Sequence, residues 1–179
     1  MRGNRDFLIS TKLAQYLGAE LWPDQVSVST PSIKFVLSHG DELCTDDSSY
    51  QRFRRFVRSN ITQSIYYALP LSWRIGVANC FRQRSKAAGL YKSHDITDVN
   101  PDACAALLQK HKMHTLVHGH THRPAVHTSA PDLLIDRRIV LPDWELDHSE
   151  KARGGWLSIH GPQMVLHRLG HDDVVCDVQ

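Results

Sequence analysis

Two short apolar runs, Ile33–Leu37 and Leu116–Val117, each lead into a histidine followed by a glycine. The first enters Ser38-His39-Gly40-Asp41, the second His118-Gly119-His120-Thr121-His122-Arg123-Pro124. Short apolar runs that stop at glycine and proline read as β-strands, and α/β folds place ligands just beyond the carboxyl ends of strands. Six of the twelve histidines fall between positions 111 and 127. Residues two apart on an extended chain point to the same side, so His118 and His120 are expected to face one ligand together. Gly119 adds no side chain between them.

Ser10 is placed to cap a short helix through Leu13 and Leu17, ending at Gly18. Val26 and Val28, then Ile33, Phe35 and Leu37, alternate on either side of Pro31 as a hairpin would. Asn100-Pro101 is a good start for a helix carrying Cys104, Leu107 and Leu108 on one face and leading into the strand at Thr115. Arg138–Leu141, Trp156–His160 and Met164–Leu169 read as further strands, the last two joined at Gly161-Pro162. Strands at both ends of the chain, with helices between, predict an α/β sandwich.

Net charge is +2, but it is unevenly spread. Between Ser48 and His94 there are nine Lys or Arg residues and no Asp or Glu, which leaves 12 basic and 19 acidic residues elsewhere. The same stretch is rich in aromatic and aliphatic residues. Three helices are expected in it: one on Tyr50, Phe53 and Val57, one on Ile61, Ile65 and Leu69 that Pro70 breaks, and one on Trp73, Val77 and Phe81 that ends near Gly89. A basic, greasy helical insertion over 48–94 suits an anionic lipid surface, although a solvated basic face over an ordinary core has the same periodicity.

At 179 residues the chain is long enough for one domain with a real core. It has no apolar stretch of the roughly 18 residues that a spanning helix needs. Cys44, Cys80, Cys104 and Cys176 form no Cys-x-x-Cys pair, so neither a disulfide framework nor a thiolate zinc site is indicated. A cytoplasmic setting is expected.

Gly3-Asn4-Arg5-Asp6 adds an amide oxygen, a hard ligand that suits manganese or magnesium beside imidazoles. The order Gly-Asn-x-Asp, His-Gly-Asp, Gly-His-x-His resembles the calcineurin-like metallophosphoesterases, a β-sandwich fold with two metals at the strand ends. More closely, Gly3–Leu8, His39–Asp47, Tyr50-Gln51-x-Phe53-Arg54, Ala68–Leu71, Ser85-Lys86, Asp98–Asn100 and His118–His127 resemble the UDP-2,3-diacylglucosamine hydrolase family of lipid A biosynthesis. The likeness runs from residue 1 to about Trp144.

That resemblance implies a single metallophosphoesterase domain over 1–179 with a helical lid at 48–94, peripheral on the cytoplasmic face of the inner membrane. It implies a UDP-linked diacylated glucosamine substrate rather than nucleic acid, and hydrolysis of its pyrophosphate bond. The implied metal ligands are Asn4, His39, His118 and His120, holding Mn2+. Arg5 and His118 are the implied catalytic residues, and Asn4, Arg5, Asp47, Ser85, Gly89, Lys92 and His118 the implied substrate contacts, with Gly89 standing where the family usually has Asn. The family's two earlier ligand segments, Asp-x-His and Gly-Asp, are not found before Gly3, so the N-terminal strands are expected to be missing and this chain by itself to be inactive. A metallophosphoesterase for another phosphodiester or pyrophosphate and a non-catalytic lipid- or nucleotide-binding module are the alternatives.

Overall fold

The computed structural model describes residues 1–89, 98–128, 137–147 and 152–177, and only the helical backbone over 84–89. Ser10 caps α1 (Thr11–Tyr16), its hydroxyl accepting from the Leu13 amide at 3.2 Å, and Gly18 turns the chain away at a φ of +66°. β1 (Gln25–Ser29) and β2 (Lys34–Ser38) form the expected antiparallel hairpin.

β2 pairs in parallel with β3 (Thr115–His118). β4 (Ala125–Thr128) and β5 (Arg137–Val140) are antiparallel partners, and β5 runs parallel to β3, giving a mixed sheet in the order β1-β2-β3-β5-β4. A second, antiparallel sheet consists of β6 (Gly155–His160), β7 (Gln163–Arg168) and β8 (Val174–Asp177).

All four residues of β3 are buried, so both of its faces are covered. Leu116 and Val36 pack against Cys104, Leu107 and Leu108 of α5 (Pro101–His111). Val117, Phe35 and Ile139 instead share an apolar cluster with Met164, Leu166 and Cys176 of the second sheet. This split follows from the two-residue period of a strand, which sends neighbouring side chains to opposite faces. Asn100 starts α5 by accepting from the amides of Asp102 and Ala103 at 2.9 and 3.1 Å, and its own amide donates to Asp46 at 3.0 Å.

The basic segment is helical as expected: α2 (Ser48–Arg58), α3 (Asn60–Ala68) and α4 (Leu71–Gly89), with breaks at Ser59 and Pro70. Residues 90–94 of that segment lie outside the described residues. No helix among the described residues is long and apolar enough to cross a membrane.

Two strands were not expected from the sequence. β4 carries half-buried and exposed residues, including His127, that read as part of the histidine run. β8 offers only two adjacent valines and a cysteine, too short for alternation to show.

Leu108 has no exposed surface. Replacing Leu108 with Ala is expected to lower unfolding free energy by about 3 kcal/mol through lost burial and a cavity under β3, measured by urea titration.

Candidate functional site

Because β2, β3 and β5 are parallel, their carboxyl ends meet at one edge of the sheet. The ladder continues past the strands: the Gly119 amide donates to the His39 carbonyl at 3.1 Å and the Leu141 amide to the His118 carbonyl at 2.7 Å. Gly40 has a φ of +103°, and a Cβ there would stand 2.9 Å from His118 Nδ1. Only glycine lets the two strand ends approach this closely.

At this edge the imidazoles of His39 and His120 meet edge to face, their centroids 5.1 Å apart. The backbone N–H of Asn4 donates to His39 Nε2 at 3.2 Å, so the loop of Gly3–Asp6 lies against the same ring. Tyr50 stacks over His120 at 5.9 Å. Burial lowers the pKa of His39 and takes that of His120 down to about 4, which leaves both rings uncharged at neutral pH, with the His39 Nε2 lone pair directed at the Asn4 backbone N–H.

The fold does not pair His118 with His120 as an extended chain would. His118 is fully buried; its Nδ1 donates to the Gly119 carbonyl at 2.8 Å and its Nε2 faces Arg138 Nη1 at 3.4 Å. Burial takes its pKa to about 4. The alternation fails because the backbone turns left-handed at His120 (φ +69°) and again at His122 (φ +55°). The Gly-His-x-His string is Gly119–His122, so its second imidazole is His122 rather than His118. His122 is exposed, and its Nδ1 lies 2.9 Å from Asp143.

The other expected site residues are spread unevenly. Arg5 is exposed and has no ion-pair partner among the described residues. Asp47 is buried and caps α2, accepting from the Tyr50 amide at 3.0 Å and the Ser49 hydroxyl at 2.7 Å. Ser85 and Gly89 belong to α4, where only the backbone is described, and Lys92 lies outside the described residues.

Sequence reasoning passed over Asp41. This carboxylate has no exposed surface; its Oδ2 accepts from the Tyr50 hydroxyl at 2.8 Å, Arg54 Nε at 2.8 Å and Arg58 Nη2 at 3.3 Å. Burial would raise its pKa, but the Arg54 charge and hydrogen bond overcome that and hold it down at about 2. Arg54 and Arg58 also bind Asp24 at 2.9 and 2.7 Å. Arg58 further donates to the carbonyls of Arg2 and Gly3, both at 3.2 Å, and so anchors the loop that bears Asn4 and Arg5. The signal was present as two arginines four apart on one helix face, beside an aspartate that follows His-Gly.

On α3 and α4 the side chains of Ile61, Ile65, Leu71, Trp73 and Ile75 are exposed, alongside Phe56 at the end of α2. That is an unusual density of large apolar groups facing solvent.

Neutral imidazoles and an Asn amide are suitable donors for a divalent cation. Yet among the described residues no three His, Cys, Asp or Glu side chains converge as they would around an ion. The described residues do not form a closed ligand set.

No family model matches the sequence. The chain is, however, 48% identical over 158 residues to a Bordetella parapertussis protein named UDP-2,3-diacylglucosamine hydrolase, a match covering 88% of this chain and 61% of that protein. Proteins of the same name from Serratia proteamaculans and Pseudomonas paraeruginosa are 42% and 41% identical over 149 and 156 residues, covering 83% and 87% of this chain and 62% of each of them. The chain is a homologue of proteins that carry this name, and it spans about three fifths of their length.

Arg54 tests the buried network. Arg54→Leu strands a buried carboxylate and is expected to cost about 3 kcal/mol of stability, whereas Arg52→Leu, on the exposed side of the same helix, should stay within about 0.5 kcal/mol. Urea titrations of the two variants make the comparison.

Proposed function

We propose that this chain is part of an enzyme that hydrolyses the pyrophosphate bond of UDP-2,3-diacylglucosamine to UMP and 2,3-diacylglucosamine 1-phosphate. The observation that carries this reading is the meeting of His39, His120 and the Asn4-Arg5 loop at the carboxyl edge of parallel strands, in a chain nearly half identical to proteins of that name. In this reading residues 1–179 are one metallophosphoesterase domain, its two sheets are the β-sandwich, and 48–94 is the lid.

Asn4, His39 and His120 are the proposed protein ligands for Mn2+, with His122 joining them as the second imidazole of the Gly-His-x-His string and His118 supporting the strand end from behind. The metal would supply an activated hydroxide and a clamp on the phosphoryl oxygens. Because the donors among the described residues are incomplete, further ligands are proposed to complete the site, and this chain alone is expected to be inactive. Arg5, a fixed cation beside Asn4, is suited to the charge that develops on the phosphoryl group. Ser85, Gly89 and Lys92 are retained as proposed substrate contacts, whereas the Asp47 carboxylate is engaged in capping α2.

The exposed apolar groups of α3 and α4, set in a stretch without carboxylates, suit acyl chains and the surface of an anionic membrane. In the same reading the protein is peripheral on the cytoplasmic face of the inner membrane.

The test is an assay with Mn2+ against UDP-2,3-diacylglucosamine and simple nucleotide diesters. The chain alone should turn over neither. Joined to the segment of the Bordetella relative that lies outside the match, it should cleave the lipid nucleotide in preference, and His120→Ala should reduce that rate by at least about 100-fold. Preference for the simple diesters, or a joined protein indifferent to His120, would overturn the reading. For the membrane contact, a Trp73→Ser, Ile75→Ser double variant should lose most of its binding to anionic vesicles in a sedimentation assay.

A further inference from the structure

Behind the strand-end imidazoles lies a cavity of about 310 Å3, walled by Asp98, Thr121, Arg123, His127, Arg138 and Arg168 with small apolar residues between them. Its lining draws on both sheets: Arg138 comes from β5, Arg168 from β7, and Thr121 and Arg123 from the turn after β3. Arg138 also reaches His118 Nε2 at 3.4 Å, so the cavity shares a wall with the strand end.

The lining has three guanidinium groups and one carboxylate. Asp98 is shared, standing 3.3 Å from Arg123 and 3.6 Å from Arg138. Arg168 has no ion pair among the described residues, and its Nε is buried with no hydrogen-bond partner. The Thr121 hydroxyl is buried and unpartnered in the same way. Both atoms are shut off from water, so what the cavity presents is the remainder of the three guanidinium groups against the single Asp98 carboxylate. Guanidinium forks match phosphate oxygens in pairs, and the excess of cations over carboxylates favours an anion of more than one charge.

We infer that this cavity binds the phosphate of a phosphomonoester, with room left for part of the group that the phosphate carries. The inference rests on the proposed hydrolysis, which releases two phosphomonoesters, and it assigns Arg168 as a binding residue that no motif in the sequence marked.

The experiment is calorimetric titration of the chain itself, in EDTA, with UMP, inorganic phosphate and uridine. UMP and phosphate should bind saturably and uridine should not. Arg168→Gln should weaken binding about tenfold or more, the usual loss for one charge-assisted hydrogen bond, while the exposed Arg52→Gln leaves it unchanged. If Arg168→Gln fails to fold, Ala125→Phe keeps every cation in place and fills the cavity instead, and it should abolish binding. Saturable binding of UMP but not of phosphate would place the recognition in the nucleoside and overturn the assignment, as would binding equally sensitive to Arg52 and Arg168 or no binding at all. Since no metal and no turnover are involved, a failed hydrolysis assay with phosphate binding intact would overturn the enzymatic reading alone.

Discussion

A carboxylate with no exposed surface, Asp41, holds the site together. It sits two residues beyond His39, and its charge is met by Arg54 and Arg58 from α2 and by the Tyr50 hydroxyl. Removing an anion from water costs several kcal/mol, which is recovered only if its partners are well placed. The requirement therefore fixes α2 against the end of β2. Tyr50, held by Asp41, lies over His120, and Arg58 extends the constraint to the carbonyls of Arg2 and Gly3. One buried charge thus sets the distance between the strand-end histidine, the loop of Asn4 and Arg5, and the first helix of the basic segment.

The charge pattern acquires a different meaning in this light. A stretch of nine cations without a carboxylate invites the idea of a uniformly basic surface. Two of those cations, Arg54 and Arg58, turn inward to Asp24 and Asp41, with side chains only 14% and 13% exposed. Arg52, Arg55 and Arg82 face solvent. The outer side of the helices is marked as much by its exposed isoleucines and Trp73 as by its charge.

Much of the fold was legible because local rules and burial agree. Ser10 and Asn100 cap the helices they were expected to cap, Pro70 separates α3 from α4, and the apolar runs at 33–37 and 115–117 lie in β2 and β3. What the sequence concealed depended on tertiary placement. β4 and β8 are too short for periodicity to declare them. Period-two reasoning paired His118 with His120, and it failed because it assumes an extended backbone where the chain has already turned left-handed. Arg168 reaches the cavity wall from a different sheet, 30 residues after Arg138, and nothing in its local sequence marks it. The apolar and capping features were therefore readable, and the polar lining of the site was readable only where a motif carried it.

Two successive positive-φ histidines, His120 and His122, leave a last consequence. A non-glycine residue in that conformation carries strain of about 1 kcal/mol or more. Gly or Asn would relax it, so the substitutions most apt to raise the melting temperature of this turn are those that would strip it of its imidazoles. Selection for robustness and selection for the site pull in opposite directions at these two positions. A stabilised descendant of this fold that had lost its chemistry would carry the evidence of that loss here first.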